Sequence, residues 1–112
     1  MLEIIEWLFV KVNTYPKAQR FILGQQTENS AIACLQLIIE ANEARSPSAA
    51  LEKLDALNIK LEVLRDLLRV GNDFGFMTTK SLFYIVNQID EVGKMRGGWA
   101  KHYISSSSNN CS

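Results

Sequence analysis

Residues 47–70, PSAALEKLDALNIKLEVLRDLLRV, decide the fold. Leu51, Leu54, Leu57, Leu61, Leu64 and Leu68 follow one another at steps of three, three, four, three and four, which places them on one face of an α-helix. Ile59, Val63, Leu67 and Val70 make a second stripe beside the first. The combined apolar face is wider than the seam of a two-stranded coiled coil and suits a helix of a bundle. Ser46-Pro47 starts this helix, the serine offering its hydroxyl to the first free N–H groups and the proline having no N–H to leave unpaired. Gly71-Asn72-Asp73-Phe74-Gly75, residues that tolerate left-handed backbone, stop it.

Reading outward from that helix, Thr78 or Thr79 caps a further one with Leu82, Ile85, Ile89, Val92 and Trp99 on one face, and Gly97-Gly98 marks its fraying end. Residues 105–112 are low-complexity and polar, and are expected to be disordered. Upstream, residues 16–44 read as one long helix in which Gly24 is the poorest helix former. The segment Asn13-Thr14-Tyr15-Pro16 separates it from a first helix over Leu2 to Asn13. No run alternates with the period of a strand. Short connections between long helices force antiparallel neighbours, so the expected architecture is all-α: an up-down-up-down four-helix bundle over residues 1–104 with a polar tail over 105–112.

The 112 residues are 47% apolar and 21% charged, which is one packed domain rather than a disordered chain. Lys+Arg and Asp+Glu both number 12, so there is no polybasic field of the kind that marks a nucleic-acid binder. Glu3 and Glu6 interrupt the apolar N-terminal run, which is too short to span a bilayer and lacks the pattern of a signal peptide. Cys34, in an apolar helix, and Cys111, in the tail, make no disulfide framework. A cytoplasmic protein without a membrane partner is the expectation. His102 is the single histidine, and no CxxC, HExxH or facing Glu-x-x-His spacing occurs, so neither an enzyme, a metal nor a cofactor is expected. Glu40/Glu43 and Glu62/Asp66 read as solvated charge on helix surfaces.

The second helix is apolar nearly all round, through Ala31, Ile32, Ala33, Cys34, Leu35, Leu37, Ile38, Ile39 and Ala41. Either it lies centrally in the bundle or its second face is buried against another chain. With the aromatic surface of Trp7, Phe9, Phe76, Phe83 and Tyr84, this points to a homo-oligomer. Residues 78–112 carry Lys80, Lys94, Arg96 and Lys101 against Asp90 and Glu91, with Trp99, His102 and Tyr103 interleaved. Such a basic and aromatic segment suits a single-stranded nucleic acid, and it equally suits the preference of a helix C-terminus for cations.

Several motifs together carry a family resemblance. Pro16-Lys17-x-x-Arg20-Phe21-x-Leu23-Gly24 opens the second helix and Glu40-Ala41-Asn42 closes it. Leu64-Arg65-x-Leu67-Leu68-Arg69 lies in the third, and Glu91-Val92-Gly93-Lys94-Met95-x-Gly97-Gly98-Trp99 in the fourth. Over about Tyr15 to Lys101 the chain resembles the Avd accessory proteins of diversity-generating retroelements. It is similar also to four-helix proteins encoded by intervening sequences within large-subunit ribosomal RNA genes. The resemblance implies a homopentameric barrel without catalytic activity of its own. In the Avd branch it implies binding to the retroelement's reverse transcriptase and to template RNA or DNA during mutagenic retrohoming. In the intervening-sequence branch it implies a structural or RNA-associated role with no polymerase partner. On matched positions, Lys17, Arg20, Arg65, Arg69, Lys94 and Arg96 are the expected contacts to nucleic acid or polymerase; from the residues themselves Lys101 is added to that set, and Trp7, Phe21, Phe83 and Trp99 are the expected oligomer interface. Arg20, Arg65 and Arg69 have an alternative role as intersubunit ion pairs with Glu28, Glu62 or Asp66. Avd proteins are typically strongly basic, and this chain is neutral.

Overall fold

The structure, a computed structural model, describes the backbone of residues 1–110 and the side chains of residues 1–105. Four helices make it up, with no strand among the described residues. The first is Leu2–Val12. The second is built from Lys17–Gln19, a π-helical turn Arg20–Gly24, and Gln25–Asn42. The third is Pro47–Asp73 and the fourth Thr79–Asn110. The third helix packs between the second and the fourth, and the first lies on the second and touches the fourth. This is the four-helix bundle expected, drawn out to 56 × 23 × 19 Å.

The leucine stripe forms the spine of the core. Leu54, Leu57, Leu61, Leu64 and Leu68 are buried against Ile4, Leu8 and Val12 of the first helix and Leu82, Ile85 and Ile89 of the fourth. The second helix contributes Ala31, Cys34 and Ala41, small side chains that permit a close approach. Its outer residues Ile32 and Ile39 are exposed, so the helix is not enclosed on all sides by its own chain. The second stripe of the third helix is likewise open: Ile59, Val63 and Val70 are exposed and Leu67 is half-buried.

The caps act where the chain turns. Ser46 Oγ accepts a hydrogen bond from the Ala49 N–H at 3.1 Å. Thr78 Oγ1 accepts from the Ser81 N–H at 3.1 Å, so Thr78 rather than Thr79 caps the fourth helix. Gly75, at φ +80°, takes the left-handed position of the connection, and Asn72 Nδ2 donates to the Met77 carbonyl at 2.9 Å across it.

Three readings of glycine need correction. The third helix runs through Gly71, whose missing side chain makes room for Tyr15; a Cβ there would lie 2.7 Å from the phenolic oxygen. The fourth helix continues through Gly97-Gly98, because Trp99, Ala100 and Tyr103 beyond them pack against the core. Gly24 closes a π-helical turn where a regular α-helix was expected, and a Cβ on it would meet Val12 Cγ1 at 2.5 Å. The helix includes the backbone up to Asn110, five residues beyond the expected start of the tail at Ser105, while Cys111 and Ser112 lie outside the described residues.

Candidate functional site

Two of the concavities formed by the described residues bear on the residues singled out above. The first lies where the first helix turns into the second. It is lined by Phe9, Val12, Asn13, Lys17, Arg20, Phe21, Gln25 and Glu28 and encloses about 340 Å³. Pro16 starts the second helix there, and the π-helical turn carries Arg20 and Phe21 on the same rim. Arg20 Nη1 donates to Asn13 Oδ1 at 3.1 Å, while its Nε is buried with no hydrogen-bond partner. Phe21 stands 71% exposed beside it. Cation, amide and open aromatic ring therefore share one small basin.

The second concavity is an apolar groove of about 280 Å³ between the start of the first helix and the other three. Met1, Leu2, Leu35, Ile38, Leu57, Val92, Met95, Arg96 and Trp99 line it. Arg96 is its one charged residue, and the Nε of that guanidinium is also buried without a partner. Sequence reasoning singled out Arg96 and Trp99 as contact residues and Leu35 and Ile38 as surplus apolar surface, but did not bring Met1, Leu2 and Met95 to the same place.

The seven basic residues singled out from the sequence do not converge. Lys17 and Arg20 meet in the first basin and Arg96 lies in the groove. Arg65 bridges two helices, its Nε on Asp90 Oδ1 and its Nη1 on Glu62 Oε1, both at 2.9 Å, with the side chain only 15% exposed. Gly93 opposite leaves space for that guanidinium, since a Cβ would come within 3.2 Å of Nη2. Arg69 pairs with Asp66 at 3.6 Å and Lys94 with Glu91 at 3.3 Å, both exposed. Glu62 and Asp66 thus find their arginines within the same chain. Lys101 is exposed on the fourth helix.

The four aromatic residues expected at an oligomer interface fall into two pairs. Trp7 is half-buried, with its ring centroid 5.7 Å from that of Tyr84 and Lys11 Nζ 5.3 Å above it. Trp99 is half-buried against the core and 6.0 Å from the Tyr103 ring. Phe21 and Phe83 point outward; Phe83 is 65% exposed.

Titration chemistry is sparse. Burial pushes the Cys34 thiol up to about 11, which leaves it a small core residue rather than a nucleophile. Tyr15 is raised by burial as well. Glu40 is lowered by the hydrogen bond from Lys53, whose Nζ lies 2.9 Å from its carboxylate and ties the second helix to the third. Among the described residues no three His, Cys, Asp or Glu side chains gather as a metal site, and no helix is long and apolar enough to cross a membrane.

No curated protein matches the chain. A family model does: the one described as bAvd-like matches residues 1–103.

Proposed function

We propose that the chain, which belongs to the bAvd-like family, is a non-catalytic accessory protein that assembles as a homopentamer in the cytoplasm. In this reading the assembly holds the reverse transcriptase of a diversity-generating retroelement and its template RNA or DNA. The family match over residues 1–103 is the observation that carries the reading, because it spans all four helices up to the Tyr103 turn. The mechanism is recruitment. Five copies of a modest surface, presented together, raise the effective concentration of each contact and bind a large partner without one strong site.

The charge distribution favours a protein over a nucleic acid as the main contact. The chain has no net charge, and Arg65, Arg69 and Lys94 already hold carboxylates of their own chain. Lys17, Arg20, Arg96 and Lys101 remain for polymerase or template, and Phe21 and Phe83, open on the single chain, for contacts between copies.

Copurification of the tagged chain with the reverse transcriptase encoded nearest to it, at low and high salt with mass determination, tests the reading. A salt-resistant complex with five copies of the 12.6 kDa chain is expected. A pentamer that binds no polymerase overturns the accessory role and favours the structural, RNA-associated role of the intervening-sequence proteins.

A further inference from the structure

The turn between the first and second helices and the connection between the third and fourth lie together at one end of the bundle. Tyr15 of the turn meets Phe76 of the connection, with ring centroids 5.4 Å apart, and its hydroxyl faces Gly71. Phe21 comes shortly after Lys17, where the second helix begins, and Phe83 equally soon after Thr79, where the fourth begins. At the ~1.5 Å rise of an α-helix both rings stand about 6 Å in from that end, at one level. They occupy opposite edges of the bundle, since the third helix packs between the second and fourth and the first lies on the second. Phe21 rims the basin between the first and second helices. Phe83 lies about two helical turns before Asp90, on the edge where Arg65 of the third helix holds Asp90 of the fourth. Asp73 lies about two turns beyond Arg65 on the antiparallel third helix, and so comes level with Phe83 on the same edge.

The two patches are opposite in charge. Lys17 and Arg20 outnumber Glu28 in the basin, and none of the three has an ion pair among the described residues. The Arg20 Nη1 is held by Asn13, while its Nε is buried with no acceptor. On the other edge Glu62, Asp66 and Asp90 are taken by Arg65 and Arg69, whereas Asp73 is exposed and has no ion pair among the described residues. We infer that the basin receives Asp73 and Phe83 of a second copy, which supplies the carboxylate that the basin's cations lack in their own chain. The Asp73 carboxylate lies between Lys17 and Arg20 and accepts from the guanidinium, and Phe83 packs on Phe9 and Phe21. A buried guanidinium N–H without an acceptor is costly, and a carboxylate there removes the cost. Two unlike patches, on opposite edges and at one level, meet by rotation about an axis along the helices, and that rotation repeated closes a ring. The inference rests on the homopentamer proposed above, because it supplies the joint of that assembly. It uses Lys17 and Arg20 between copies and leaves Arg96 and Lys101 for the polymerase.

Native mass spectrometry of the full chain across a dilution series tests it. Arg20→Glu and Asp73→Lys are each expected to raise the concentration at which the pentamer dissociates at least about tenfold, with helicity unchanged. Asp73→Asn, which alters only an exposed side chain, is expected to shift it in the same direction by less. Arg20→Glu and Asp73→Arg combined in one chain are expected to restore the pentamer, because every joint then holds the pair reversed. Asp55→Lys, at an exposed carboxylate of the same helix that also lacks an ion pair among the described residues, is expected to leave the assembly unchanged. If the wild-type chain is a pentamer and either single reversal leaves its dissociation unmoved, the pairing is overturned and the pentamer stands. The same holds if the combined reversal fails to restore what the single ones weaken. If Arg20→Glu releases polymerase or RNA and leaves the pentamer intact, the basin takes that ligand and the pairing is overturned. Wild-type chain that stays a monomer at every concentration overturns the pentamer and the pairing together.

Discussion

Tyr15 shows how one side chain couples two parts of the bundle. Its ring lies in the core beside Phe76, centroids 5.4 Å apart, and its hydroxyl is buried with no hydrogen-bond partner. Gly71 of the third helix makes the space, since a Cβ there would approach that hydroxyl to 2.7 Å. Gly71→Ala therefore strains the contact and is expected to cost about 1–3 kcal/mol, in spite of alanine's better helix propensity. Tyr15→Phe removes a hydroxyl that bonds nothing, and is expected to be neutral or slightly stabilising. Combined, the two changes should destabilise less than their sum, because the phenylalanine gives the new methyl its room. Denaturant melts of the four proteins read this cycle directly. The pH dependence has a definite sign. Burial raises the folded Tyr15 pKa, so above about pH 10 the unfolded chain loses the proton first and stability falls as pH rises. Tyr15→Phe should flatten that alkaline decline.

At the scale of the helices, Arg65 is a clamp. It reaches from the third helix to Asp90 on the fourth, while Glu62, one turn back on its own helix, holds the other edge of the guanidinium. Asp90 and Glu62 are substantially solvated, which discounts the pairs, so Arg65→Ala is expected to lower stability by about 1–2 kcal/mol. Arg65→Lys should recover less than half, because an ammonium cannot serve two carboxylates along a planar fork. A thermal melt separates this from a role in nucleic-acid contact, which would alter binding and leave the melting temperature unchanged. Much of this level was legible in the sequence. Leu54 to Leu68 repeat with the helical period, and Ser46-Pro47 carries its cap chemistry locally. The π-helical turn at Arg20–Gly24 was not, because no residue type encodes it; it is visible only once Gly24 is seen against Val12. Gly97-Gly98 misled for a related reason: glycine opposes a helix locally, and the packing of Trp99 and Ala100 that outweighs it is tertiary. The candidate site was legible as a set of cations with Glu62 and Asp66 as partners, although these pairs form within one chain. The pair with Asp90 was not legible, because it lies 25 residues from Arg65.

For the whole molecule, the proposed ring places a symmetry requirement on the surface. A closed ring of identical copies is heterologous: each protomer offers one patch forward and a different one back. Phe21, on the π-helical turn of the second helix, and Phe83, on the fourth, are two such separate apolar points. If one copy's Phe21 surface meets the next copy's Phe83 surface, Phe21→Glu and Phe83→Glu each give a monomer of 12.6 kDa with full helicity. Each variant then retains one sound patch, and the two patches are complementary. Mixing them should produce a one-to-one heterodimer and stop there, because the remaining exposed patch on each partner carries the glutamate. Native mass spectrometry of the separate and mixed samples distinguishes the alternatives. An isologous arrangement, with each patch meeting its own kind, leaves each variant dimeric on its own and forms no mixed species. Unchanged assembly in both variants removes Phe21 and Phe83 from the interface. The outer faces of Ile32 and Ile39 on the second helix, or Ile59 and Val63 on the third, would then be the surfaces that hold the copies together.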